Sequence, residues 1–190
     1  MPKEKIEACL VLCCLCLAPL HSMAQEVVHA LAGTVSSIDA TSKTITVKTD
    51  DGSEGLFKDS TDAKIPIDFN RDLRAQTTAA DAFAKTGTRV IVYYFGNGDV
   101  RTAVSLQSLG AGAMMKSSGT VMKFDRHKHL LTVLTNSGAK EVFEITPKTV
   151  TETSVGAVAG DRFNLQKGDH VRVTALPDGG GQTAVFINAA

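Results

Sequence analysis

The sequence predicts a mainly β protein in which two similar small domains follow one another. An internal repeat is the first observation behind this prediction. Gly-Thr-Val, an Asp, a Thr-Val pair and a closing Gly occur in residues 33–52 and return with the same spacing in residues 119–138. The second observation is that apolar and polar residues alternate within each copy, which is the period of a half-buried β-strand. A repeat must be interpreted before any fold is assigned, and this one indicates two β-domains.

Each copy is predicted to contain five strands. In the first copy a hairpin and a third strand are predicted at 33–38, 44–49 and 54–58, followed by a second hairpin at 87–92 and 98–106. The second copy repeats the first hairpin in 119–138 and the second one at 168–173 and 179–187. Asp39 and Asp125 follow the first strands, where a carboxylate can cap the backbone of a turn.

The two copies differ between their third and fourth strands. Residues 68–85 predict a helix, because apolar side chains fall on one face at the helical period: Phe69, Leu73, Ala80 and Phe83. Gly87 follows as a stop signal. The matching segment of the second copy, residues 154–166, contains Gly156 and Gly160, so we expect one or two helical turns there at most.

The order of three strands, a helix and two strands is that of a five-stranded OB-type barrel. We therefore predict two tandem OB-like barrels, with a helix between strands three and four of the first. A small SH3-like barrel is the alternative. The predicted domains are residues 32–109 and 119–190, joined by a linker of small residues at 110–118.

Residues 1–24 have the features of a secretory signal peptide. Lys3 and Lys5 precede an apolar run at 8–20, which is short for a membrane span, and Ser22-Met23-Ala24 offers small residues for cleavage before Gln25. We expect a periplasmic or secreted protein with no stable membrane span after cleavage. All four cysteines lie in this segment, so the mature chain has no thiol for disulfides, catalysis or metal binding.

The repeated Gly-Thr-Val…Asp…Thr-Val…Gly pattern resembles an exported bacterial β-barrel repeat domain that carries no assigned function. It is more distantly similar to the periplasmic copper- and silver-binding chaperones, which are OB barrels. That family holds metal through a histidine after strand two, methionines on strand three and a tryptophan. Here Thr49 and Thr135 follow strand two, strand three has no methionine and tryptophan is absent. The resemblance therefore implies the fold without the metal activity.

His127 and His129 are the candidate metal ligands. They flank Lys128 in the first turn of the second copy, and two imidazoles two residues apart could share a Cu²⁺, Ni²⁺ or Zn²⁺ ion. A complete site would need a third ligand from Asp125 or His170. The alternative interpretation is a solvated basic turn.

Ile91, Tyr93 and Phe95 are the candidate interaction face. If Val90 and Val92 point into the first barrel, the period of two places these three side chains outside it. An apolar stripe on the outside of a strand is normally covered. The cover could be the predicted helix or the second barrel, or it could be a partner or an apolar ligand.

Composition narrows the function classes. Twenty basic residues balance twenty acidic ones, which argues against nucleic-acid binding. No nucleophile elbow, phosphate-binding glycine loop or other catalytic motif occurs. We therefore expect a non-catalytic, cofactor-free exported protein that binds or scaffolds an envelope protein or a small ligand. The alternative is a periplasmic metal-handling protein that uses the histidines of the second copy.

Overall fold

The structure is a computed structural model that describes residues 26–59, 67–68, 78–79, 85–110, 113–160 and 162–189. These residues form β-strands and turns, with no helix among them. Accordingly, no described segment is a helix long and apolar enough to span a bilayer. The first eight strands are β1 (Glu26–Val27), β2 (His29–Asp39), β3 (Thr44–Thr49), β4 (Glu54–Asp59), β5 (Ile67–Asp68), β6 (Thr78–Ala79), β7 (Arg89–Phe95) and β8 (Val100–Gly110).

Five of these strands close the first barrel. β2 lies between β3 and β7 in antiparallel pairing, β3 continues to β4, and β7 continues to β8. The barrel closes because β8 returns to β4 in parallel, with Phe57 opposite Arg101. The short strands β1 and β5 pair with each other outside this barrel.

The second barrel repeats this arrangement. Its strands are β9 (Met115–Asp125), β10 (Leu130–Thr135), β11 (Lys140–Thr153), β12 (Gly156–Ala159), β13 (His170–Asp178) and β14 (Gly181–Ala189). β9 lies between β10 and β13, and β14 closes the barrel by pairing in parallel with β11. The prediction of a mainly β protein with two tandem five-stranded OB-like barrels is confirmed.

The predicted helix in residues 68–85 is not found in the part of that segment that the structure describes. Asp68 ends β5, and β6 pairs with β8 through Thr78 opposite Leu106. Lys85 is described and has no regular secondary structure, and residues 69–77 and 80–84 lie outside the described ranges. In the second copy Gly156, with a φ of 109°, begins β12, which pairs with the end of β11 instead of forming a helical turn. Open strand edges on β8 and β11 supply hydrogen-bond partners that a periodicity argument does not consider.

Each barrel has its own apolar core. Val90 and Val92 point into the first barrel as predicted, where they pack with Val35, Ile45, Val47, Phe57, Ala103 and Leu106. The second core consists of Val121, Leu131, Val133, Phe143, Ile145, Phe163, Val171, Val173, Ala175, Ala184 and Ile187. The matched positions of the repeat therefore build the same interior twice.

The barrels also reach into the predicted linker. β8 extends to Gly110 and β9 begins at Met115, so only residues 111–114 separate them. Ser117, in the predicted linker, pairs with Val173 of β13. Strand pairing uses backbone groups, so a polar segment can extend a sheet as well as an apolar one. At its other end the first barrel begins at His29, three residues before the predicted boundary at 32.

Candidate ligand-binding cleft between the barrels

A third apolar cluster joins the two barrels, and we call it the inter-barrel cluster. The first barrel contributes Ile91 and Tyr93, which are fully buried. The remaining buried members are Val28, Ala30, Val150, Ala159 and Phe186, the last three from the second barrel. Ile91 and Tyr93 are therefore buried in a cluster that both barrels form, and a role of this face in binding a partner stays a prediction. Phe95 is also buried but is not a member of this cluster.

Polar contacts cross the interface beside the cluster. The Arg172 guanidinium lies 2.8 Å from a carboxylate oxygen of Asp51, and the Lys116 ammonium lies 2.5 Å from Asp50. The backbone N–H of Ala157 donates to the carbonyl of Val28 at 2.8 Å. These contacts connect the two barrels beside the cluster.

Glu152, on β11 of the second barrel, is held by two groups of the first barrel. One carboxylate oxygen, Oε1, lies 2.6 Å from His29 Nδ1, and Oε2 accepts the backbone N–H of Ala30 at 2.7 Å. Burial raises the pKa of Glu152 above its ordinary value, and the hydrogen bonds from His29 and Ala30 oppose that shift. Both oxygens are thus occupied by contacts between the barrels.

A cleft of about 480 Å³ opens next to these contacts, and its walls come from both barrels. The wall of the first barrel includes Ala30, Leu31, Asp50, Asp51, Tyr94 and Arg101. The opposite wall includes Glu152, Ser154, Arg172, Thr174, Phe186 and Asn188. The cleft therefore combines apolar surface, hydroxyl and amide groups, and charges of both signs.

Arg101 and Tyr94 form an aromatic–cation pair in this cleft. The guanidinium carbon of Arg101 lies 5.0 Å from the centroid of the Tyr94 ring and 5.9 Å from that of Phe57. Burial raises the pKa of the Tyr94 phenol; the charge of Arg101 lowers it and that of Glu152 raises it further. Tyr94 therefore stays neutral at physiological pH and offers its ring face to a cation.

Asp51 stays ionised beside the cleft. Hydrogen bonds from the side chains of Thr49 and Ser53 and from the Ser53 backbone hold the pKa of Asp51 well below its usual range. Gly52, with a φ of 87°, completes the turn that positions this carboxylate. Asp51 thus carries a full negative charge to meet Arg172.

His127 and His129 lie in the exposed turn between β9 and β10. Asp125, the nearest proposed third ligand, accepts the backbone N–H of Lys128 at 3.2 Å and lies 2.9 Å from the Lys123 ammonium. Among the described residues, no three His, Cys, Asp or Glu side chains come together in a way that could hold a metal ion. Metal binding by the histidine pair stays a prediction.

Four residues of this region did not emerge from the sequence: His29, Tyr94, Arg101 and Glu152. One signal could have found two of them. Aligning the second hairpins of the copies places Ala175 and Gln182 opposite Tyr94 and Arg101, so the ring and the cation occur in one copy alone. His29 and Glu152 have no such signal, because they are 123 residues apart in the chain.

Comparison with known proteins identifies no family for this chain. No protein-family model and no curated protein matches the chain. Solved structures match, among them Drosophila Unr CSD456, with 14% sequence identity and a TM-score of 0.33. The match covers 85% of this chain and 61% of the other, so this chain spans less than two thirds of that structure's length. Similarity at this level carries no argument about function.

Proposed function

We propose that this is a non-catalytic exported protein, periplasmic or secreted, whose two barrels form a single binding module for a small ligand. The observation that carries the proposal is the cleft whose walls come from both barrels. Because the inter-barrel cluster and the contacts of Glu152 fix the barrels together, this cleft is preformed. A preformed concave site with a few converging polar groups is the usual form of a small-molecule site.

A binding role agrees with the chemistry of the cleft better than a catalytic one. Glu152 has the raised pKa expected of a general acid, but both of its oxygens hold the first barrel. Asp51 is held ionised and faces Arg172. The carboxylates of Glu152 and Asp51 therefore serve structure. The balanced charge of the chain favours a small ligand over a nucleic acid.

The export part of the proposal rests on the signal-like segment 1–24 and has its own test. The full gene product would be produced in a bacterium and its intact mass measured after cell fractionation. We expect a protein that begins at Gln25 in the periplasm or the medium. A protein that keeps Cys16, with or without a lipid, would refute cleavage at this position.

The binding module is tested by measuring whether small molecules bind in the cleft. The amide chemical shifts of the purified protein would be measured by nuclear magnetic resonance as mixtures of small polar metabolites are added. We expect at least one mixture to shift the amides of cleft residues such as Leu31, Tyr94 and Asn188. Ser154 lies exposed in the turn before β12 and lines the cleft, so Ser154→Trp should abolish these shifts.

Ser137→Trp is the matched control, because Ser137 is an exposed turn residue outside the cleft. It should leave the shifts intact. The proposal fails if no mixture shifts the cleft amides, or if Ser154→Trp and Ser137→Trp reduce the shifts equally.

A further inference from the structure

We propose that the cleft binds a small organic oxyanion, a carboxylate or phosphate group attached to an apolar body, and that Arg101 pairs with the anionic group. This inference rests on the proposed function, because it requires the cleft to be the ligand site. It adds the chemical class of the ligand and the residue that recognises it.

The first step concerns the unused donors of Arg101. A guanidinium has five N–H donors in a planar fork that suits carboxylate and phosphate oxygens. Arg101 lies over the rings of Tyr94 and Phe57, and no described residue provides it with a carboxylate or another hydrogen-bond acceptor. The rings restrain the guanidinium while its N–H groups remain available, so less side-chain entropy is lost when an anion binds.

The second step concerns the other charges of the cleft, which already have partners inside the protein. Arg172 pairs with Asp51, Asp50 pairs with Lys116, and Glu152 contacts His29 and accepts the N–H of Ala30. A cationic ligand would have to displace one of these contacts to reach a carboxylate. An anionic ligand finds Arg101 without such a cost.

The third step is the comparison of the two copies. Gln182 and Ala175 occupy the positions of Arg101 and Tyr94 in the second barrel, which closes through the same strand pairings. The barrel fold therefore does not require an arginine and a tyrosine at these positions. They occur in the copy where they line the cleft, which favours a role in binding over a role in folding.

The remaining walls indicate what the anion is attached to. Phe186, Leu31 and the alanines at 30 and 32 add apolar surface to the same cleft as Arg101. Burying an apolar group there removes nonpolar surface from water, which favours binding. A ligand with an oxyanion at one end and a compact apolar body at the other would use both features.

Four benzene derivatives test this inference by nuclear magnetic resonance titration of the purified protein: benzoate, phenyl phosphate, neutral benzamide and cationic benzylamine. We expect benzoate or phenyl phosphate to shift the amides of Arg101, Tyr94 and Phe186, with benzamide and benzylamine binding at least tenfold more weakly. The two anions distinguish a carboxylate site from a phosphate site.

Arg101→Gln should weaken binding of the preferred anion at least tenfold, and Arg101→Lys should weaken it less because the charge remains. Arg126→Gln is the matched control, since Arg126 also lies over a ring, that of Phe124 at 5.5 Å, but outside the cleft. It should leave the affinity unchanged. Well-dispersed spectra of each variant establish that it is folded.

The outcomes separate this inference from the proposed function. If benzamide or benzylamine shifts the cleft amides at least as strongly as the anions, the oxyanion class is wrong and the binding module stands. An unchanged affinity of Arg101→Gln for the anion would likewise show that Arg101 does not bind the anionic group. If none of the four compounds shifts the cleft amides, the inference fails. The proposed function is then tested only by the titration with metabolite mixtures.

Discussion

His29 in the first barrel and Glu152 in the second face each other across the interface, with 2.6 Å between Nδ1 and Oε1. The second oxygen of the same carboxylate accepts the N–H of Ala30, a residue that is only 3% exposed. One side chain of the second barrel thus satisfies a buried backbone donor of the first. The connection between the barrels therefore depends on hydrogen bonding as well as on apolar contact.

We expect Glu152→Ala to destabilise the protein. It leaves the Ala30 N–H buried without its acceptor, and an unsatisfied buried donor costs about 1–3 kcal/mol. Denaturant unfolding measures the loss, with Glu54→Ala as the control because Glu54 is exposed on β4. Equal unfolding free energies for the Glu152→Ala and Glu54→Ala variants would contradict this role of the carboxylate.

The raised pKa of Glu152 predicts a pH dependence that Glu152→Gln should remove. Burial favours the protonated carboxyl in the folded protein. The stability that this carboxyl contributes to the folded protein is therefore complete below its ordinary pKa of 4.5, and it is lost as the pH rises through the raised pKa of the folded state. Glutamine can keep the contact with Ala30 but does not titrate.

The measurement compares unfolding free energies of the wild type and Glu152→Gln from about pH 4 to pH 8. The advantage of the wild type over the variant should shrink as the pH rises. Taking this difference cancels the opposite effect of Asp51, whose lowered pKa favours stability at higher pH in both proteins. A wild-type advantage that grows with pH would show that the hydrogen bonds to the ionised Glu152 carboxylate outweigh the effect of its burial.

Tyr93→Asp should unfold the inter-barrel cluster. Tyr93 is fully buried, and its hydroxyl donates to Gln107 Oε1 at 2.9 Å. Losing a buried aromatic side chain costs about 3–5 kcal/mol, a large part of the stability of a small protein. Val100→Asp is the control, because Val100 is 52% exposed on the neighbouring strand. Thermal midpoints that fall equally in both variants would disagree with the buried position of Tyr93.

The interior of each barrel could be predicted from the sequence because local patterns determine it. The alternation around Val90 and Val92 gave the correct inward face, and the repeat gave the number of barrels. A hairpin joins residues close in the chain, so its signal survives in a short window of sequence. The 68–85 segment was harder, since its helical periodicity carries no information about the open edge of β8 with which Thr78 pairs.

The interface could not be predicted in the same way. Its contacts join residues far apart in the chain, such as His29 and Glu152, which are 123 positions apart, and no periodic pattern relates them. The residues directly before Gly33 have no counterpart in the repeat, yet Val28 and Ala30 are buried against the second barrel. The cleft and its contacts therefore arise from residues that the two copies do not share.

Gly119 begins the repeated pattern of the second copy, and we expect Gly119→Ala to destabilise the second barrel. A Cβ at this position would lie 2.1 Å from the carbonyl oxygen of Leu134, and the matching Cβ at Gly33 would lie 2.5 Å from that of Lys48. Because the obstacle is backbone, a strand must move, and overpacking of this kind typically costs about 1–3 kcal/mol. Gly181→Ala is the control in the same barrel, since its Cβ would meet nothing closer than 3.6 Å and should change stability by about 0.5 kcal/mol at most. Chemical unfolding of both variants decides the matter: equal stabilities would mean that the glycine recurs in the two copies for a reason other than the close approach of β9 and β10.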